Sequence, residues 1–223
     1  MKRLSVQVWP GPLLIYMKNV RLLFDYGHGK KTAGKRSPDG RLEEWKYVRE
    51  VGSAVADYFQ NTLKFDVEEV VAAGNPDDVS LVNRVAKVNK TVAAYPNQQC
   101  LLCSFHVNAA GSGKEWMKAE GWSVYVAKTA SKESKSLANA LFDAAVELGE
   151  KPRQYLPKQK YWEAGYYILR NTKCPAVLTE NFFMDNKQEV DFLLSEEGRN
   201  LVENIHIIGI SKYLGLPYTI VKP

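Results

Sequence analysis

Short apolar runs alternate with amphipathic segments along most of the chain. The runs are bounded by glycine, proline or polar residues, as buried β-strands are, and they cover residues 19–25, 65–74, 99–109, 121–127 and 174–180. Apolar side chains between them recur at three- and four-residue steps, which predicts helices over residues 42–61, 76–95, 131–149 and 187–214, the last broken near Ser195. This alternation predicts an α/β fold, a single domain with a central, mostly parallel, twisted sheet of about five to six strands flanked by helices.

Polar residues mark the expected helix ends and two long loops. Asp77 or Asp78 is the expected cap of the second helix, Ser131 that of the third, and Gly149 should end the third helix. Residues 26–41 and 150–161 are rich in proline, lysine and other polar residues, which predicts loops. Because long loops without structure of their own are usually functional, segment 26–41 is a candidate for the chemistry.

The composition is that of an ordinary soluble globular protein. The 223 residues are 45% hydrophobic and 25% charged, and the formal charge of +5 is modest. Because the basic residues form no long block, we expect no nucleic-acid partner, and a mildly cationic enzyme with an anionic polymer as substrate fits equally well. Three cysteines cannot all pair, and Cys100 and Cys103 lie in a predicted strand, so we interpret them as small buried side chains.

The first residues do not share the pattern of the rest. Residues 1–17 start with basic residues, but Pro10, Gly11 and Pro12 interrupt the apolar positions and no small-residue cleavage site follows. This segment is a poor signal peptide and is too short for a membrane span, which needs about 20 apolar residues. We therefore expect the catalytic domain to cover residues 18–216 and residues 1–17 to be an extension or a mis-assigned start. We also expect synthesis in the cytoplasm and no membrane span.

The turn "FDYGHGKKT" at residues 24–32 raises the choice between a phosphate site and a metal site. Nucleotide-binding loops need four residues between the first glycine and Gly-Lys-Thr, so that successive backbone N–H groups surround the phosphates. Here His28 alone separates Gly27 from Gly29, and the spacing fails. What remains is a histidine presented by a glycine turn at the end of a predicted strand.

Three side chains suited to metal binding or proton transfer follow or close predicted strands. His28 follows the first strand, His106 closes the third and Glu180 closes the last. Because the carboxyl ends of parallel strands form the edge where ligands bind, these side chains should converge. His206 lies in an amphipathic helix and is interpreted as a core residue. Two histidines with a glutamate are a known ligand set for a catalytic zinc ion, which leaves a fourth position for water.

The third ligand is expected in "GRLEEWKYVREV", where the helix period chooses between two glutamates. Glu44 shares the face expected to pack on the sheet, which consists of Tyr47, Val48, Val51 and Val55. Glu43 instead aligns with the solvent side. A surface carboxylate near a helix N-terminus would suit either residue but fits Glu43 better, so we predict Glu44 as the ligand.

Four motifs in order resemble one family, the zinc-dependent N-acetylmuramoyl-L-alanine amidases of bacterial and phage cell-wall metabolism. They are "DYGHG", "SPDGRLEEW", "SFHVNA" and "ILRNTKCPAVLTENFFMDN", and the resemblance spans about residues 20 to 215. It implies that His28, Glu44 and His106 bind zinc and that Glu180 is the catalytic carboxylate. Tyr26, where proline or alanine is common, and Asn181, in place of a small residue, are departures that concern the shape of the substrate groove.

The resemblance implies hydrolysis of the amide between N-acetylmuramic acid and L-alanine in peptidoglycan. Because the sequence shows no convincing signal peptide and no recognisable wall-binding module, we expect a lysis enzyme of the phage or prophage type that acts on the cell wall, and we expect a monomer. Asn108 and Arg170 have two interpretations each. Both residues orient the substrate, or Asn108 is only a turn residue and Arg170 only a surface cation. The basic residues of the loop after His28 either form a solvated surface or hold peptide carboxylates; they are Lys30, Lys31, Lys35 and Arg36. The alternatives are a zinc amidohydrolase for another acylated amino acid or peptide, a non-catalytic wall-binding module and a nucleotide-binding protein, which the spacing of the glycine turn disfavours.

Overall fold

The computed structural model describes residues 19–154 and 156–218, and the segment 1–17 discussed above lies outside them. The boundaries 18–216 of the catalytic domain stay a prediction. The elements in chain order are β1 (Val20–Tyr26), α1 (Glu44–Asp57), β2 (Asp66–Glu69), α2 (Leu81–Ala94), β3 (Gln99–Asn108), β4 (Ser123–Ala127), α3 (Lys132–Glu147), β5 (Trp162–Ala164), α4 (Tyr167–Asn171), β6 (Ala176–Phe183), α5 (Lys187–Leu193) and α6 (Glu196–Tyr213). Helix α1 continues as a π-helical turn over Tyr58–Thr62.

The strands form one sheet in the order β2-β1-β3-β6-β4-β5. β2, β1, β3 and β6 are parallel, whereas β4 runs antiparallel to β6 and β5 runs parallel to β4. The predicted single α/β domain with a mostly parallel sheet is thus confirmed. The short elements β5 and α4 were not predicted, because three and five residues are too few to show a period.

The apolar runs fill two cores, one on each face of the sheet. Leu22 and Phe24 of β1 pack in the core that also includes residues of α1, α3 and α6. Leu23, which points to the opposite face, packs in the core of α2 and α4. Because successive side chains of a strand alternate between faces, a run that is apolar at nearly every position requires helices on both sides.

The ends of two predicted elements differ from the sequence-based expectation. Ser80 caps α2 by accepting a hydrogen bond from Asn83 N, so the prediction of Asp77 or Asp78 as the cap is wrong. The Asp78 carboxylate instead accepts a hydrogen bond from the Thr32 hydroxyl. Strand β2 ends at Glu69, well short of residue 74, because the chain turns there and closes a backbone hydrogen bond from residue 75 to residue 72.

The other helix ends agree with the sequence. Ser131 caps α3 and Ser195 caps α6, each by accepting a backbone N–H three residues further along. Gly149 follows α3 with φ of +94°, a conformation that a residue with a Cβ atom rarely adopts. Among residues 19–154 and 156–218, no helix has the length and apolar character that crossing a membrane requires.

Candidate metal centre

His28 lies in the turn that follows β1, with its backbone in the left-handed region at φ of +58°. Gly27 N donates to Phe105 O at 3.0 Å, which ties the turn to β3. Both flanking glycines are required by close approaches. A Cβ atom on Gly27 would lie 2.5 Å from the His106 ring, and one on Gly29 would lie 2.3 Å from the backbone nitrogen of Asp78. The Gly-His-Gly sequence is therefore a packing requirement of the site.

Two buried arginines hold the backbone of this turn. Arg49 of α1 and Arg84 of α2 donate to the His28 carbonyl oxygen at 2.9 and 3.1 Å. Arg84 also donates to Asp25 at 2.8 Å, and the second carboxylate oxygen of Asp25 accepts from Ser104 at 2.7 Å. Neither arginine was among the residues predicted from the sequence. For Arg84 the available signal was its place on the apolar face of the predicted helix, in line with Val88, where a cation must find buried acceptors. Arg49 lies off the apolar face of its helix and gave no such signal.

Glu44 is the first residue of α1 and is completely buried. The predicted helix phase agrees with the structure, since Tyr47 and Val48 are buried while Lys46 and Glu50 are exposed. The Glu44 Oε1 atom accepts from Val107 N at 3.1 Å and lies 3.1 Å from His106 Nδ1. The carboxylate therefore bridges from the helix to the carboxyl end of β3.

The structure brings His28, Glu44 and His106 into one cluster. One ligand atom from each residue lies within 4.8 Å of the other two. His28 Nε2 is 3.5 Å from Glu44 Oε1, and the two imidazole rings stand perpendicular with centroids 5.0 Å apart. The second oxygen of Glu44, Oε2, is buried and accepts no hydrogen bond from the described residues. A buried carboxylate oxygen without a donor, beside two imidazoles, fits a divalent metal ion.

Glu180 lies next to this cluster, on the neighbouring strand. His106 of β3 and Glu180 of β6 are directly paired in the parallel register, so both side chains point to the same face. The register then shifts before Asn108 pairs with Phe183, and bulges of this kind often lie beside active sites. Burial raises the pKa of Glu180 to about 7, partly opposed by the charge of His106.

Burial and mutual charge shift the pKa values of all three clustered residues. Burial lowers the pKa of His28 to about 4, which keeps its imidazole neutral at pH 7. For Glu44, burial acts to raise the pKa, but the hydrogen bond and charge of His106 bring it below its ordinary value. For His106, burial acts to lower the pKa, and its interactions with Glu44 outweigh this and raise it. A carboxylate and a neutral imidazole are the forms that bind metal ions.

A pocket of about 400 Å³ opens beside the cluster. It lies between the two histidines and the start of α2, and its lining includes Asp25, Asp78, Ser80, Leu81 and Arg84. The pocket thus reaches both histidines from the α2 side of the sheet. Its wall combines charged, hydroxyl and apolar groups, as small-molecule and substrate sites commonly do.

The two predicted substrate-binding residues lie in different places. Asn108 ends β3, two residues after His106, and its side-chain oxygen accepts from Ala109 N at 2.8 Å. Arg170 is exposed on α4, the helix that precedes the amino-terminal end of β6, whereas Glu180 lies toward the other end of that strand. Their roles in substrate binding stay predictions.

The remaining histidine and two of the cysteines have the structural roles expected. His206 is buried, its Nδ1 atom lies 2.7 Å from Val202 O, and its Nε2 atom lies 2.9 Å from the Thr179 hydroxyl. Cys100 and Cys103 are buried free thiols, as predicted. These residues contribute to the core and leave the cluster of His28, Glu44 and His106 as the candidate metal centre.

Comparison with known families places this chain beside cell-wall amidases. Residues 22–212 match the family described as N-acetylmuramoyl-L-alanine amidase. The chain is 28% identical over 194 residues to the endolysin of Bacillus phage SPP1, a match that covers 86% of this chain and 65% of the endolysin. It is 23% identical over 197 residues to the N-acetylmuramoyl-L-alanine amidase CwlM of Bacillus licheniformis, covering 88% of this chain and 70% of that protein.

Solved structures share the fold over nearly the whole described chain. The N-acetylmuramoyl-L-alanine amidase of Clostridium difficile 630 superposes with a TM-score of 0.74 at 22% identity, covering 89% of this chain and 98% of that one. The catalytic domain of the amidase CwlV from Bacillus (Paenibacillus) polymyxa var. colistinus superposes with a TM-score of 0.71 at 23% identity, covering 89% and 99%. At these identities the likeness establishes the fold.

Proposed function

Because this chain belongs to the N-acetylmuramoyl-L-alanine amidase family, we propose that it hydrolyses the amide bond between N-acetylmuramic acid and L-alanine in peptidoglycan. The observation that carries the proposal is the convergence of His28, Glu44 and His106 beside the buried Glu180. A module that only bound the wall would need neither a metal-ligand set nor a buried carboxylate next to it, and this argues against the non-catalytic alternative.

We propose zinc as the resident ion, bound by His28, Glu44 and His106. Two imidazoles and one carboxylate match the His-His-Glu set of catalytic zinc sites, and Glu44 Oε2 is buried without a hydrogen-bond donor. Bound there, the ion would supply Lewis acidity, which acidifies water and polarises the scissile carbonyl. Arg49 and Arg84 hold the His28 backbone in place, so the imidazole is oriented before any ligand arrives.

Glu180 is proposed to carry the proton. It would accept a proton from the attacking water and deliver it to the amine of L-alanine as the C–N bond breaks. A pKa of about 7, raised by burial, suits both steps, because a group that titrates near the working pH can accept and donate. Asn108 and Arg170 are proposed to orient the carbonyl or carboxylates of the substrate, and for Asn108 its position two residues after His106 supports this role.

We further propose that the protein acts on the cell wall as a lysis enzyme of the phage or prophage type. The similarity to the phage SPP1 endolysin supports this proposal. The match covers 65% of that endolysin, so the comparison concerns the shared region. A mildly cationic chain, with a formal charge of +5, also suits an anionic polymer such as the bacterial wall.

Product analysis tests the proposal. Purified peptidoglycan incubated with the zinc-loaded protein should release peptides that begin with L-alanine, detected by mass spectrometry, and should show no new reducing sugar ends. Glu180→Gln keeps the shape of the side chain but cannot accept the proton, so it should bind zinc normally and lose roughly 10²–10⁴-fold in rate.

Two results would contradict the assignment. New reducing ends without free alanine amines would indicate cleavage of the glycan instead. Cleavage of small N-acylated amino acids with no action on peptidoglycan would favour the alternative amidohydrolase. Full activity in Glu180→Gln would leave the family assignment intact but reject the proposed proton carrier.

A further inference from the structure

Lys35 is held beside the metal centre by its own backbone. Its carbonyl oxygen accepts a hydrogen bond from Glu44 N at 3.1 Å, and the adjacent Arg36 pairs with Glu43 in an antiparallel bridge. The buried Ser37 closes the loop by accepting from Leu42 N at 3.0 Å. The loop that carries Lys35 is therefore fixed to the first turn of the helix that carries Glu44.

The Lys35 ammonium group stands at the edge of the cluster. Its Nζ atom lies 3.8 Å from Glu44 Oε2, beyond hydrogen-bond distance, while the other oxygen, Oε1, faces His28 and His106. The Lys35 side chain is 33% exposed, whereas Glu44 is completely buried. Its N–H groups therefore remain available to a ligand that enters from solvent, and the flexible four-carbon stem lets the charge follow that ligand.

The charge of Lys35 also reaches the other side of the cluster. It acts electrostatically on His28 and on Glu180, as well as on Glu44. The measured approach is to the ligand set, where Lys35 Nζ lies 3.8 Å from Glu44 Oε2, and Glu180 is the strand neighbour of His106 of the same cluster.

We propose that Lys35 is a further catalytic residue, whose ammonium group contacts the scissile carbonyl oxygen and stabilises the negative charge that forms there. The inference rests on the proposed amidase function. Water oxygen forms a bond to the carbonyl carbon while its proton goes to Glu180, and the π electrons of the carbonyl move onto its oxygen beside Lys35. Return of that electron pair breaks the C–N bond, and the amine of L-alanine leaves with the proton from Glu180. Preorganised donors at a developing oxyanion are among the largest contributions to catalysis.

A purely structural role for Lys35 makes different predictions. If the ammonium group only compensated the buried Glu44 carboxylate, its removal would weaken metal binding, and saturating metal would restore function. If it contacts the oxyanion, metal binding should survive while recognition of a tetrahedral anion is lost. Metal affinity and analogue affinity therefore separate the two roles without reference to activity.

The experiment compares wild type, Lys35→Gln, Lys35→Arg and the control Lys46→Gln. Lys46 is 63% exposed on the solvent face of the same helix as Glu44, so Lys46→Gln removes the same charge without touching the cluster. Zinc affinity is measured by competition with a chromophoric chelator, and folding by thermal unfolding with zinc present. Binding of a phosphinate analogue of the lactyl–alanine amide to the zinc-loaded proteins is measured by calorimetry, and kcat and KM are measured with muropeptides.

We expect Lys35→Gln to keep zinc affinity within about threefold, to bind the phosphinate roughly 10²-fold more weakly, and to lose a similar factor in kcat with little change in KM. Lys35→Arg should retain most of the phosphinate affinity, and Lys46→Gln should match wild type. Phosphinate binding by Lys35→Gln equal to that of Lys46→Gln would overturn the proposal, as would a loss that saturating zinc reverses. If wild type binds the phosphinate more tightly than Lys35→Gln but releases no alanine-terminated peptides, the proposed function fails, and only the recognition of a tetrahedral anion by Lys35 stands.

Discussion

At the scale of single residues, two adjacent glutamates at the start of α1 have different environments. Glu44 is buried and lies against His106, whereas Glu43 is partly exposed and sits at the helix N-cap position without a side-chain capping bond. One carboxylate therefore faces the candidate metal centre, and the adjacent one faces solvent. The two positions carry the same charge, but Glu43 has an extended backbone before the helix and Glu44 is the first helical residue.

Glu44→Ala should weaken zinc binding by more than about 100-fold and reduce activity in parallel, with partial rescue by excess zinc, because it removes one of the three proposed ligands. The matched control is Glu43→Ala, which should keep zinc affinity and change the unfolding free energy by no more than about 0.5 kcal/mol. Zinc competition titrations and urea unfolding measure both quantities. Loss of zinc in Glu43→Ala with retention in Glu44→Ala would show that the assignment of the ligand is off by one residue.

At the scale of elements, the turn after β1 is positioned by three other elements. Helix α1 contributes Arg49, α2 contributes Arg84, and β3 supplies both a backbone acceptor and the His106 ring that packs against Gly27. The turn has no room for a side chain at Gly27, because a Cβ atom there would be 2.5 Å from the His106 ring. The glycine thus lets the turn that carries His28 approach the strand end that presents His106, the other candidate histidine ligand.

Gly27→Ala should displace the His106 ring and weaken zinc affinity by roughly 10–100-fold, the range for residues that orient metal ligands. Gly165→Ala is the control, since a Cβ atom there meets nothing within 4 Å. The control should bind zinc as wild type does. Metal content after dialysis and competition titrations give the result, and unchanged zinc affinity in Gly27→Ala would mean that the ring position is unimportant for the ion.

At the scale of the whole molecule, a hydrogen-bonded path runs from α6 through the core to the candidate metal centre. His206 of α6 stacks on Phe105 with ring centroids 4.2 Å apart and pairs with the Thr179 hydroxyl. Asn181 donates to that hydroxyl at 3.3 Å and to the His106 carbonyl oxygen at 2.9 Å. Because a carbonyl only accepts, the contact with Val202 O places the His206 proton on Nδ1 and leaves Nε2 to accept from Thr179.

Burial lowers the pKa of His206 from 6.5 to about 4, so the folded protein holds this imidazole neutral. The unfolded chain binds the proton more readily, and stability that is complete above pH 6.5 should therefore be lost as the pH falls toward 4. The difference between the pKa of His206 in the unfolded chain and in the folded protein corresponds to about 3 kcal/mol of unfolding free energy. His206→Gln should be less stable at pH 7, but its unfolding free energy should fall less steeply between pH 7 and pH 4.5.

Urea unfolding of the chelator-treated proteins at a series of pH values measures this slope. Because His28, His106 and the carboxylates titrate in both proteins, the difference between wild type and His206→Gln isolates the contribution of His206. Parallel curves for the two proteins would contradict the role of His206 as a buried neutral histidine.

The sequence by itself determined the features that depend on local period and on position at strand ends. Apolar runs and three-to-four-residue steps predicted the α/β fold and the main elements. The helix period identified Glu44 as the buried glutamate, and strand ends placed His28, His106 and Glu180 at one edge, where the structure brings them together. These features need only the few neighbouring residues that define a strand or one helix turn, so a single chain suffices to show them.

The tertiary structure alone decided the contacts that join residues distant along the chain. No periodic signal in the sequence indicates the reversed direction of β4 and β5. The same is true of the hydrogen bonds from Arg49 and Arg84 to the His28 carbonyl oxygen, and of the approach of Lys35 to Glu44. Even the cap of α2 depended on where the chain turns after β2, which left Ser80 and not the aspartates at the helix start. Such contacts form because polar groups that become buried when the elements pack need hydrogen-bond partners. That requirement exists only in the folded chain.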